Sequence, residues 1–138
     1  MPHLVKLAAF SAALALLAGC DEKERAVRSE AAGVSRAVDA VRTAENAHKS
    51  APLDALRRTP CSAAEVCAVQ SYCVAAYEKH VAALALVDEA KATVATAPAE
   101  KVAATLKAAE AGLGQAKTMT DDCATRQGEL VRKFRVGR

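Results

Sequence analysis

Residues 61–73 read Cys61-Ser62-Ala63-Ala64-Glu65-Val66-Cys67-Ala68-Val69-Gln70-Ser71-Tyr72-Cys73, and this stretch decides the fold. Pro60 breaks the chain just before it. Ser62-Ala63-Ala64-Glu65 has the Ser-x-x-Glu form of a capping box, so a helix is expected to open at Ser62. Val66, Val69, Cys73 and Tyr77 then recur at spacings of three and four, and Val81, Leu84, Val87 and Val94 continue the same helical face. Thr96-Ala97-Pro98 ends that run. Proline suits the first turn of a new helix and disfavours helical geometry in the residue before it. Helix two is therefore expected over 62–95 and helix three over 98–135. In helix three Val102, Leu106, Ala109, Leu113, Ala116, Thr120, Cys123, Gln127, Leu130 and Phe134 alternate spacings of four and three. Gly112 and Gly114 weaken its middle and mark either a bend or a tight contact.

Upstream, Val27, Ala31, Val34, Val38 and Val41 repeat the pattern. Helix one is expected over 22–49, with Ser50-Ala51-Pro52 as its stop and residues 50–61 as a loop. The composition agrees with an all-α fold. Of 138 residues 35 are Ala, 52% are hydrophobic and only 3% aromatic, which excludes a β-sandwich or barrel. The expected architecture is an elongated antiparallel three-helix bundle with thin seams instead of a deep core.

The first residues read as an address. Leu7 to Gly19 is apolar apart from Ser11, shorter than the ~20 residues that a membrane span needs. It ends in Leu17-Ala18-Gly19-Cys20, followed by Asp21-Glu22-Lys23-Glu24-Arg25. A short apolar run closed by small residues is the form of a secretory signal. The tetrapeptide resembles the lipobox of bacterial lipoproteins. That resemblance is limited to residues 1–20. It implies a signal peptide over 1–19, a lipid-modified Cys20 opening a mature domain over 20–138, and a tether at 20–21. Asp21 and Glu22 also resemble the inner-membrane retention signal of enterobacterial lipoproteins. This favours the inner membrane facing the periplasm, with the outer membrane as the other address. On physical grounds alone, Asp21 and Glu24 could also open a helix.

Export implies an oxidising compartment, and four cysteines remain after Cys20. Three pairings are possible. Cys67 and Cys73 lie six residues apart on one helix, about 9 Å of rise with side chains on separate faces. Cys61 and Cys73 span still more of that helix. The remaining pairing is Cys61–Cys67 with Cys73–Cys123. A hairpin turning at 97–98 brings together residues whose numbers sum to about 195, and Cys73 and Cys123 match within one residue. No zinc or Cys-x-x-Cys spacing is present in the sequence.

The other polar residues point to no chemistry. His48 and His80 have no carboxylate or cysteine at ligand spacing, and there is no phosphate loop or nucleophile elbow. No catalytic residue, metal or cofactor is expected beyond the covalent lipid. The basic stretch Arg132-Lys133-Phe134-Arg135-Val136-Gly137-Arg138 suits a helix C-terminus. In an up-down-up bundle it would lie roughly 50 Å from the anchoring bilayer. Nucleic acid is not an expected partner for a mature chain of 18 basic and 16 acidic residues. The expected role is non-enzymatic, either structural or in binding an envelope protein. The alternatives are a small inhibitory module, such as an immunity or exclusion lipoprotein, and last an enzyme using His48 or His80. Thiol titration of the denatured, unreduced chain is expected to find none of Cys61, Cys67, Cys73 and Cys123 free. Four free thiols would overturn the pairing.

Overall fold

Alanine brings little side-chain entropy to lose, and helix dominates this chain. The computed structural model describes the backbone of residues 8–137 and the side chains of residues 21–137. Among the described residues there are four α-helices and no strand. The helices are α1 (Ala8–Thr43), α2 (Ser50–Arg58), α3 (Ala64–Thr93) and α4 (Ala99–Lys133), with a 3-10 turn at Asn46–His48.

The boundaries differ from expectation in two places. Helix one, expected to reach residue 49, ends at Thr43, and α2 occupies most of the expected loop over 50–61. Pro52 lies in the first turn of α2, where proline is tolerated because its missing N–H has no helical partner. The same residue that was read as a stop therefore sits in a helix start. Leu53 and Leu56, three apart, are both buried and hold α2 on the core. Gln70 closes this helix from α3, its Nε2 donating to Leu56 O at 2.7 Å and Thr59 O at 2.6 Å.

The second difference is the start of α3. The expected capping box at Ser62–Glu65 is not formed, and α3 opens at Ala64 without a cap from its own side chains. Glu30 of α1 supplies the cap instead. Its carboxylate accepts the Ser62 N–H at 2.8 Å, the Ala63 N–H at 3.0 Å and the Ser62 hydroxyl at 2.5 Å. An anion at a helix N-terminus also meets the positive end of the helix dipole.

Helices α3 and α4 form an antiparallel hairpin. Glu65 pairs with Lys133, Tyr72 with Asp122 at 3.1 Å, and Lys79 with Gln115 at 2.8 Å. Cys73 and Cys123 face each other with Cα atoms 5.1 Å apart. Helix α1 runs parallel to α3, since Glu30 meets Ser62 while Asn46 meets His80 at 3.4 Å. It runs antiparallel to α4, with Ser35 and Arg42 bonded to Gln127 and Val27 sharing a groove with Phe134. The expected up-down-up order is thus corrected to up, a short return through α2, up and down. The physical reason is that α2 and the segment after it carry the chain back beside α1 before α3 begins. Phe134 consequently lies beside residues 23–27, and the basic turn after α4 is not at the far end.

The core is thin. Val34, Val38, Val41, Leu56, Val66, Cys73 and Cys123 have no exposed surface. Beyond His80 the seam changes residue type. Ala83 and Ala90 of α3 are buried, as are Val102, Ala109 and Ala116 of α4. Val94, expected on the buried face, is 66% exposed, and Leu106 is 48% exposed. Small residues let the backbones approach, and the larger side chains stand on the flanks. Gly112 is part of this approach, because a Cβ there would lie 3.0 Å from Ala83 Cβ, whereas one at Gly114 would meet nothing within 4 Å. Gly114→Ala is therefore expected to stabilise the chain by about 1 kcal/mol. Gly112→Ala should gain less or destabilise. Thermal melts of the two variants check the contrast.

Candidate functional site

The first candidate region is the end where α1, α3 and α4 meet. An apolar groove of about 520 Å³ is lined by Lys23, Glu24, Val27, Ala63, Ala64, Glu65 and Phe134. Cys20 is in α1 by backbone, and its side chain is outside the described side chains. Asp21 and Glu22 are exposed. They sit inside α1, so Asp21 and Glu24 do not open a helix here. Glu24 instead pairs with Arg28 at 3.0 Å, one helical turn on.

The basic turn closes α4 at this end. Arg135 has φ 51°, a left-handed conformation that favours glycine. The Val136 N–H donates to Val131 O at 3.0 Å and the Arg135 N–H to Arg132 O at 3.3 Å. This is a Schellman-type close, in which the residue after the turn packs back on the helix. Phe134 and Val136 are accordingly half-buried against the core, while Arg132, Lys133 and Arg135 are exposed.

The second region is a cleft of about 280 Å³ lined by Arg42, Asn46, Lys49, Tyr77, His80, Thr120, Asp121 and Ala124. Lys49 is buried, and its ammonium donates to Val41 O at 2.9 Å, Arg42 O at 3.2 Å and Ala44 O at 2.7 Å. All three hydrogens are therefore committed to the free carbonyls at the end of α1. Burial pushes its pKa down. His80 is pushed down first by burial and then by the Lys49 charge. Tyr77 is pushed up by burial, against the opposing effect of Arg42.

The histidines do not come together. His48, expected to have no carboxylate near it, is exposed in the 3-10 turn with its Nδ1 3.5 Å from Oε2 of Glu45, which the turn brings round from three residues back, while His80 faces Asn46. Cys61–Cys67 and Cys73–Cys123 lie at disulfide distance, with S–S separations of 2.12 Å and 2.02 Å. Among the described residues no group of three or more His, Cys, Asp or Glu is placed to hold a metal, and no helix is long and apolar enough to cross a membrane. No protein-family model matches the chain, and no curated protein or solved structure matches it either.

The residues that sequence reasoning missed are polar ones working at a distance: Glu30, Lys49 and Gln70. Only Lys49 left a trace, as a cation just past a helix end.

Two measurements check this chemistry. Hydrogen bonds from Ser62 and then Ala63 hold the Glu30 carboxyl below its ordinary value of 4.5. Its contribution to stability is complete above that value and is lost as pH falls through the lowered folded value. Glu30→Gln should lower the melting temperature at pH 7 and flatten the stability loss below about pH 4.5. Lys49→Met leaves buried carbonyls unpaired and should cost about 1–3 kcal/mol. It should also move the His80 pKa up toward its ordinary 6.5, read by NMR titration.

Proposed function

We propose that the chain is a lipid-anchored protein of the bacterial cell envelope, with a structural or protein-binding role and no catalysis. The observation that carries this reading is Leu17-Ala18-Gly19-Cys20 at the end of a short apolar run, followed directly by charged residues. Lipid on Cys20 anchors the chain, because each buried CH₂ contributes ~0.8 kcal/mol and two or more acyl chains hold firmly. Two cysteine pairs at disulfide distance suit an oxidising compartment outside the cytoplasm. In this reading Asp21 and Glu22 favour the inner membrane.

The mature part then works as an elongated bundle whose three long helices are α1, α3 and α4. The α3–α4 hairpin extends past the end of α1 and carries Val94 and Leu106 on its surface. It is the part of the molecule that would meet an envelope protein partner. The Lys49 ammonium, the charged group most deeply placed in the cleft, is committed to the carbonyls that end α1, which supports a role without chemistry.

Labelled palmitate should enter the wild-type chain and not Cys20→Ser, and the wild type should stay with membranes in high salt. Equal labelling of both would overturn the lipid anchor. Crosslinking in intact cells from the hairpin tip, residues 94–106, should recover a specific envelope protein. Recovery of none would count against the partner-binding role.

A further inference from the structure

The turn that closes α4 is basic, conformationally disfavoured and placed at the end of the molecule where Cys20 lies. We propose that Arg132 and Arg135 bind the anionic phospholipid headgroups of the bilayer that holds the lipid on Cys20. The inference rests on the lipid-anchor reading and adds to it a second contact with the membrane.

Three observations carry it. The first is position. Phe134 lines the same groove as Lys23, Glu24 and Val27. Lys23 is three residues past Cys20, about 4.5 Å of helix rise. Phe134 therefore stands about one Debye length from the anchored surface, while Val136 packs further along α1 beside Ala32 and Arg36, so the turn reaches outward from the edge of the surface's field.

The second is charge. This end of the chain holds Lys23, Arg25, Arg28, Arg126, Arg132, Lys133 and Arg135 against Asp21, Glu22, Glu24, Glu30, Glu65, Asp122 and Glu129. Lys133 is held by Glu65, Arg28 by Glu24, and Arg126 sits 4.1 Å over the Tyr72 ring. Among the described residues Arg132 and Arg135 form no ion pair. The charges of the whole end balance, so what the turn offers is local: two exposed guanidiniums with no ion pair of their own among the described residues.

The third is conformation. At the left-handed position glycine would serve the backbone better than arginine, and Gly137 stands only two residues on. Arg135 is thus placed for its side chain and not for the turn. Strain of this kind is a pointer to function. With Phe134 and Val136 tucked against the core, the arginines are held out on a rigid base.

Basic residues beside an anchor strengthen binding to anionic leaflets, and two of them give on the order of 30-fold. The full lipidated chain is reconstituted in vesicles of phosphatidylcholine, with or without a quarter phosphatidylglycerol. Hydrogen exchange is then read by mass spectrometry for residues 131–137, with the hairpin tip as internal reference. The turn is expected to exchange about tenfold more slowly on the anionic vesicles, with the protection lost in 0.5 M NaCl and in Arg132→Gln/Arg135→Gln. Arg135→Gly, which relieves the backbone, is expected to fold at least as well and still lose part of the protection. Equal exchange on both vesicles, with the chain retained on both, overturns the inference and leaves the anchor intact. Release from phosphatidylcholine vesicles in high salt overturns the anchor reading itself.

Discussion

The Cys73–Cys123 bond holds the register on which the rest of the structure depends. Beyond Tyr77 the α3–α4 seam is built largely of Ala83, Ala90, Ala109 and Ala116, with Val102 the larger side chain buried among them. A seam of methyl groups buries little area per residue and has few shapes that reject a shifted partner. Sliding one helix by a heptad would set alanine against alanine again. A covalent bond closing a fifty-residue loop contributes about 4 kcal/mol in the chain-entropy account. It also admits only one alignment. Once that alignment is set, Gly112 meets Ala83, Tyr72 meets Asp122 and Glu65 meets Lys133.

Helix α1 is placed by different means. Val34, Val38 and Val41 bury its apolar stripe, and that stripe looks the same whichever way the neighbouring helix runs. Direction comes from polar groups that can be satisfied in only one arrangement. Glu30 reaches the open N–H groups of α3. Gln127 Nε2 bonds Ser35 O at 3.0 Å and Ser35 Oγ at 2.9 Å from inside α4. In the opposite direction Glu30 would face the middle of α3, where backbone N–H groups are already taken, and Gln127 would be buried without partners.

This explains what was legible in the sequence. Periodic valines, leucines and alanines announce helices, and prolines mark where segments meet. The cysteine spacings carried the hairpin register, because helix geometry leaves few ways to join four points. Local marks misled where a distant group took over their work. Ser62 looked like a cap for its own helix, yet Glu30, 32 residues earlier, does the capping. Pro52 looked like a stop, yet it sits in the first turn of α2. The basic turn was plain as charge, but its place in the molecule depended on the direction of α1.

Two regions of unequal cohesion follow from these constraints. At the end where α2 lies, four segments pack together and both cysteine pairs lie among them. At the other end, α3 and α4 hold only each other. Local opening requires little where few apolar contacts must be broken, so fluctuation belongs to the tip. Cys73–Cys123 sits just below the level at which α1 ends, between the two regions. Opening that starts at Val94 and runs down the alanine seam reaches a covalent stop there. The base therefore keeps Glu30, Gln127 and Lys49 in place while the tip opens and closes.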